Sequence, residues 1–201
     1  MINNRIKLLL FCCVTGWISC NKRAPVTETH AYTQLDSLTD TYLNLQDSLL
    51  ITWNVMVKDE NEKLRSMHDL LQSMNGSDLF DKSQVVTLEQ RLEQVERIRF
   101  NQKTMFNTHL VEEYDFASNS LISEIISLVE SNSAFIQTKE LQPLIDNIKE
   151  ADQRVNYYRS NYDSVAQKFN VFLEKNKIYL KDLDQSSTPE KRPLFQMASE
   201  N

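Results

Sequence analysis

Glycine is nearly absent from this chain of 201 residues. There are two, Gly16 and Gly76. Turn-rich β architectures draw on glycine for their tight connections, so a sandwich or barrel is excluded. Proline is equally sparse and confined to Pro25, Pro143, Pro189 and Pro193, which leaves long stretches free of helix breakers. The three cysteines, Cys12, Cys13 and Cys20, all lie near the start, so no disulfide framework can staple the remainder. No His-Glu-x-x-His, Cys-x-x-Cys, Gly-x-Gly-x-x-Gly or phosphate-loop pattern occurs, so no familiar catalytic or cofactor motif is spelled out. The three histidines, His30, His68 and His109, each lack an acid three residues before them, as a carboxylate-bridged metal bundle would require. His109 and Glu113 share a helix face and read as a solvated surface pair. No metal, cofactor or catalytic residue is expected, and the chain reads as a non-enzyme.

What is present begins at the N-terminus. Residues 1–7 carry Arg5 and Lys7 and no acid, and an apolar run from Leu8 to Ile18 follows. That is the layout of a secretory signal. A bilayer-spanning helix needs about 20 apolar residues, and this run is shorter. Ile18-Ser19-Cys20 then resembles a lipobox, which makes residues 1–19 a lipoprotein signal peptide and Cys20 the lipidated N-terminus. The alternatives are a short uncleaved anchor and an ordinary signal cut elsewhere. Lipidation accounts for every cysteine, because Cys12 and Cys13 leave with the signal and Cys20 takes the lipid. Palmitate-type chains contribute about 0.8 kcal/mol per buried CH2, enough together to hold the protein at a membrane. Asn21, rather than an aspartate, after the acylated cysteine points to the outer membrane of a two-membrane bacterium, facing the periplasm.

Loss of Arg5 and Lys7 takes the net charge from −6 to −8. An acidic chain disfavours nucleic acid, so the expected partners are the membrane, through Cys20, and other envelope proteins. Residues 20–31 read as a polar tether. From Leu35 the apolar positions step by three and four through Leu38, Tyr42, Leu45, Leu49, Trp53, Met56, Leu64, Met67, Leu71 and Met74. This predicts one helix of more than 40 residues, closed by Gly76 as a left-handed cap. Glu60 alone breaks the stripe. It either pairs with an arginine such as Arg97 or Arg99, or marks where the bundle opens. The surrounding "KDENEK" (58–63) reads as a solvated face.

A second stripe, N-capped by Ser83, runs Val85, Leu88, Leu92, Val95, Ile98, Met105, Leu110 and Phe116. "SNS" at 118–120 reads as a joint before a third apolar segment (121–129), and 130–140 reads as a loop. Beyond it, residues 141, 148, 155, 162 and 169 are Leu, Ile, Val, Tyr and Phe, with companions at 144, 151, 158, 165 and 172. Five heptads predict a coiled-coil-like seam, with Pro143 in the first turn where proline is tolerated. The whole predicts an all-α chain, a long antiparallel bundle of three to four helices over 32–183. The tail 184–201 has no periodicity and is expected to be disordered.

"LIDNIKEADQRVNYYRSNYDSVAQKFN" (144–170), with "VES" at 129–131, resembles the C-terminal part of the LemA family. That family carries Glu-Asn-Arg-Ile-x-x-x-Arg-x-x-Tyr-Asn…Tyr-Asn, read here as Asp152-Gln153-Arg154-Val155, Arg159, Tyr162-Asp163 and Phe169-Asn170. Trp53 and Gly76 fit the family's first helix, and the likeness spans roughly residues 35–182. The family's helix-bending proline is missing here, and a lipid stands in for its usual membrane helix. The resemblance implies a membrane-tethered extracytoplasmic bundle and carries no catalytic residues across. It singles out Arg154 and Arg159, which either grip an acidic group on a partner or form ion pairs within the bundle, such as Arg154 with Glu150. Trp53, Glu60, Arg154, Arg159 and Tyr162 are thus the candidate interaction or structural residues. Two readings stay open: a structural or protein-interaction module, or a ligand-binding or enzyme-accessory lipoprotein with a groove near Trp53 and Glu60.

Overall fold

The computed structural model describes residues 33–136, 141–183 and 189–195. The signal peptide, Cys20 and the tether lie outside them. The described residues are all-α, with six helices and no strand: α1 (Gln34–Gly76), α2 (Lys82–Arg97), α3 (Thr108–Glu130), the single turn α4 (Ser133–Ile136), α5 (Gln142–Lys175) and α6 (Lys177–Leu183). None of the described helices is long and apolar enough to cross a membrane.

α1 is 43 residues long, about 65 Å at 1.5 Å per residue, and is continuous because no proline or interior glycine interrupts it. Its partner is α5. Contacts pair Ser66 with Asn147, Asp59 with Arg154, Trp53 with Tyr162, and Tyr42 with Phe169. Numbers fall along one helix as they rise along the other, so the two run antiparallel. α1 and α3 run in the same direction, since Glu60 meets Tyr114 and Lys63 meets Ser118. α2 and α3 cover only one end of the α1–α5 pair, because both are shorter.

The core divides accordingly. Leu64, Met67, Leu71, Val85, Leu88, Leu121, Ile125 and Ile148 form one cluster where four helices meet. Leu49, Tyr162, Ala166, Phe169 and Leu173 form another along the two-helix extension. Phe100 packs against both.

Several junctions differ from expectation. Gly76 ends α1 without a positive φ. The exposed carbonyls there are satisfied instead by the Lys82 ammonium, which donates to Asn75 O and, at 2.6 Å, to Ser77 O, a cation at the negative helix end. α2 is capped by Asp81 rather than Ser83; Asp81 Oδ1 accepts the Ser83 N–H at 2.8 Å and its hydroxyl at 2.7 Å. Those hydrogen bonds hold the Asp81 carboxyl below its usual range.

The second stripe is two helices, not one. The chain breaks after Arg97, where Asn101 Oδ1 accepts the N–H groups of Lys103 and Thr104, a local bonding pattern that competes with helix. Ser118–Ser120 is no joint. α3 passes through it because Ser118 and Ser120 face Lys63 and Arg91, which donate to them. The expected loop over 130–140 contains α4, whose Phe135 meets Phe80 edge-on at 4.6 Å.

In α5 the heptad positions 148, 162 and 169 are buried as expected. The second buried row is 145, 166 and 173, while 144, 158, 165 and 172 are only half-buried. That second row continues through Asp152 and Arg159, so the chain places two charges on the inner face of its own seam.

The tail departs most from expectation. Residues 189–195 lie along α5 against the two-helix extension, with Leu194 and Phe195 packed on its core. Arg192 precedes Pro193, which biases it to extended backbone.

Candidate functional site

Three helices contribute charges to one level of the bundle. On α1, Asp59, Glu60 and Lys63 face inward; Lys63 is only 3% exposed, and its ammonium lies 3.0 Å from the Glu60 carboxylate. The "KDENEK" stretch is therefore a solvated face only in part. Lys58 and Glu62 stand in solvent, while the stripe carries Glu60 and Lys63 into the interior. Glu60 pairs with neither Arg97 nor Arg99 as expected. Its partners are Lys63 and the Tyr114 hydroxyl, which donates to it. Burial, followed by the charge of Glu60, pushes the Tyr114 phenol well above its ordinary value. Arg97 pairs with Glu93 on its own helix, whereas Arg99 reaches the recess beside Glu60.

Arg159 of α5 meets Asp115 of α3 in a two-pronged bond at 2.7 and 2.6 Å, the geometry a guanidinium fork makes with a carboxylate. Arg154 donates to Asp59 across the helix pair at 2.7 and 3.2 Å, and to Glu150 on its own helix at 3.2 Å. The bond to Asp59 holds the guanidinium in its charged form. Both arginines thus make bonds within the bundle, including the expected one to Glu150. The Arg159 Nε–H, however, is buried without a hydrogen-bond partner among the described residues.

A cleft of about 190 Å3 opens beside these groups, lined by Glu60, Lys63, Asp115, Asp152 and Arg159 among others. It adjoins an apolar recess lined by Trp53, Met56, Phe100, Tyr114 and Arg159. Four of the five candidate residues converge here. Trp53, Glu60 and Arg159 share the recess, and Trp53 meets the Tyr162 ring edge-on at 5.6 Å. Arg154 stands apart, against Asp59. Tyr162 is fully buried, and its hydroxyl has no partner among the described residues. Burial pushes that phenol up to about 12.

One residue beside these candidates escaped sequence reasoning entirely. Phe195, from the tail, stacks on Trp53 at 6.4 Å and 9°, and meets Phe100 and Tyr162 edge-on at 5.7 Å. The Arg159 guanidinium lies 4.8 Å from the Phe195 ring centre, within cation–π range. The only sequence signal was an apolar pair after a proline, Leu194-Phe195. His109 and Glu113 are 4.0 Å apart and largely solvent-exposed.

Compared with models of known protein families, with curated proteins and with solved structures, the chain finds no match.

Proposed function

We propose that this chain is a non-enzymatic, lipid-anchored envelope protein of LemA-like type, tethered through Cys20 to the periplasmic face of a bacterial outer membrane and serving as a structural or protein-interaction module. The tether reading rests on the Ile18-Ser19-Cys20 junction after its basic head and apolar run. The observation that carries the module reading is the pairing inside the bundle. Lys63 with Glu60, Arg159 with Asp115 and Arg154 with Asp59 engage the interior charges with one another. Such pairs are weak sources of stability, and fixing register is their best-attested use; here Arg159 with Asp115 ties α5 to α3 and Arg154 with Asp59 ties α5 to α1, while Lys63 neutralises Glu60 within α1. Crosslinking in the native envelope, followed by partner identification, tests it. Discrete protein adducts are expected in the outer-membrane fraction; their absence, or co-sedimentation with inner-membrane markers, would count against the proposal.

A second reading, a ligand-binding or enzyme-accessory protein, is favoured by the cleft next to Trp53 and Glu60. Its 190 Å3 falls short of the roughly 300 Å3 at which drug-sized sites begin, so only a small polar ligand fits. Native mass spectrometry of purified residues 21–201 decides, since a stoichiometric added mass would favour this reading.

A further inference from the structure

The way residues 189–195 are held differs from ordinary core packing. The Asn170 side-chain amide makes two bonds to the backbone of Arg192: Nδ2–H donates to Arg192 O at 2.8 Å, and Oδ1 accepts the Arg192 N–H at 2.7 Å. Two turns earlier on α5, Asp163 Oδ1 accepts the Phe195 N–H at 2.9 Å. The spacing is matched. Seven helical residues rise about 10.5 Å, and three extended residues span about 10 Å. A straight helix face therefore reads every third residue of an extended chain. Between the two clamps lies Pro193, which has no N–H to satisfy.

Side chains are read as well. Lys191 pairs with Glu174, the Arg192 guanidinium lies 5.7 Å from the Phe169 ring centre, and Phe195 fills the box of Trp53, Phe100, Tyr162 and Arg159. No residue from 189 to 195 is fully buried. The segment lies on the bundle surface and is held through backbone groups that any extended peptide possesses.

We propose that the α5 face from Asp163 to Glu174, with the aromatic box at its end, is a peptide-recognition groove, and that a partner protein carrying an extended basic-Pro-apolar-Phe segment docks there by displacing residues 189–195. Backbone clamps, the Glu174 carboxylate and an aromatic box together specify that chemistry, and the chain's own Lys-Arg-Pro-Leu-Phe fills it in cis. The inference deepens the interaction-module reading by naming where the partner sits. As an intramolecular competitor, the tail acts at an effective concentration of millimolar order, so the groove opens only to partners that outcompete it.

The test uses residues 21–201 and a fluorescein-labelled peptide of residues 189–195, Pro-Glu-Lys-Arg-Pro-Leu-Phe. Phe195→Ala, which loosens the tail, should bind the peptide about tenfold or more tightly than the unmodified chain. Adding Asn170→Ala should abolish that gain, with circular dichroism unchanged in both variants. In the unmodified chain, millimolar peptide should speed amide hydrogen exchange at Arg192 and Phe195. Lack of peptide binding to Phe195→Ala, binding indifferent to Asn170→Ala, or unchanged exchange at Arg192 would overturn the proposal. A dimer of the unmodified chain that Phe195→Ala dissolves would overturn it in favour of a second copy as occupant. Envelope crosslinks that persist while the peptide fails would refute the groove and leave the module reading standing.

Discussion

Lys63 and Glu60 stand one turn apart on α1 and bond to each other inside the bundle, 3.0 Å between charges, with Lys63 only 3% exposed. Tyr114 from α3 donates to the same carboxylate, and Lys63 reaches Ser118 at 3.5 Å. Glu60→Gln removes the countercharge and leaves a buried ammonium unpaired, a loss of about 3–5 kcal/mol. Replacing all three groups, Glu60→Leu with Lys63→Met and Tyr114→Phe, removes the charges and the hydroxyl together and should come within about 1 kcal/mol of the original or exceed it. Urea unfolding of the three proteins checks this. A triple variant as unstable as the single one would mean that the loss comes from the missing bonds themselves and not from a stranded Lys63 ammonium.

Tyr162 offers a complementary case. Its hydroxyl is buried without a partner among the described residues, so Tyr162→Phe should be neutral or stabilising by up to about 1–3 kcal/mol, the desolvation of one unsatisfied group.

The pH response of Tyr162 has a definite sign. Burial pushes its phenol up from 10.0 to about 12. Below pH 10 the proton is present in folded and unfolded chains alike, and the contribution to stability is complete. Between about 10 and 12 the unfolded chain loses the proton first, so stability falls as pH rises. Thermal melts across pH 9–12 should show a shallower alkaline decline in Tyr162→Phe. Part of the decline should remain, because the Tyr114 phenol is raised in the same direction. An unchanged profile would contradict the assignment.

Much of the fold was legible because it is built on periodicity. The stripe from Leu35 to Met74 marks α1, and the heptads from Leu141 to Phe172 mark α5. What periodicity could not see were interruptions of polar type. Lys63 sits among charges and looks solvated, yet the spacing from Leu49 and Met56 puts it on the inner face at seven-residue steps. Glu60 was visible as a conflict, but its partners were not, because Lys63 on the same helix was read as solvated and Tyr114 comes into reach only once α1 and α3 are packed side by side. The joint at 98–107 was masked by apolar Ile98 and Met105, which continue the stripe at a seven-residue step while Asn101 bonds the local backbone. The tail was missed because an extended segment docked by backbone bonds has no helical period to detect.

Gly76 gives a clean check of one such misreading. It is helical, without positive φ, and a Cβ added there would meet nothing within 4 Å. Gly76→Ala should therefore stabilise the chain by about 0.4–1 kcal/mol, chiefly by restricting the unfolded state. Had the glycine been a left-handed cap, the same change would destabilise. Chemical denaturation of the variant distinguishes the two signs.

The proposed lipid tether at Cys20 would hold a bundle that folds without it, because both core clusters are built from residues between Leu49 and Leu180. The most direct measurement is metabolic labelling with palmitate, read together with circular dichroism, for the original chain and Cys20→Ala. The original should incorporate label and fractionate with membranes. Cys20→Ala should lose the label, since Cys12 and Cys13 lie within the apolar run, and should keep its helical signal. Label retained in Cys20→Ala, or a collapse of its helical signal, would contradict the account.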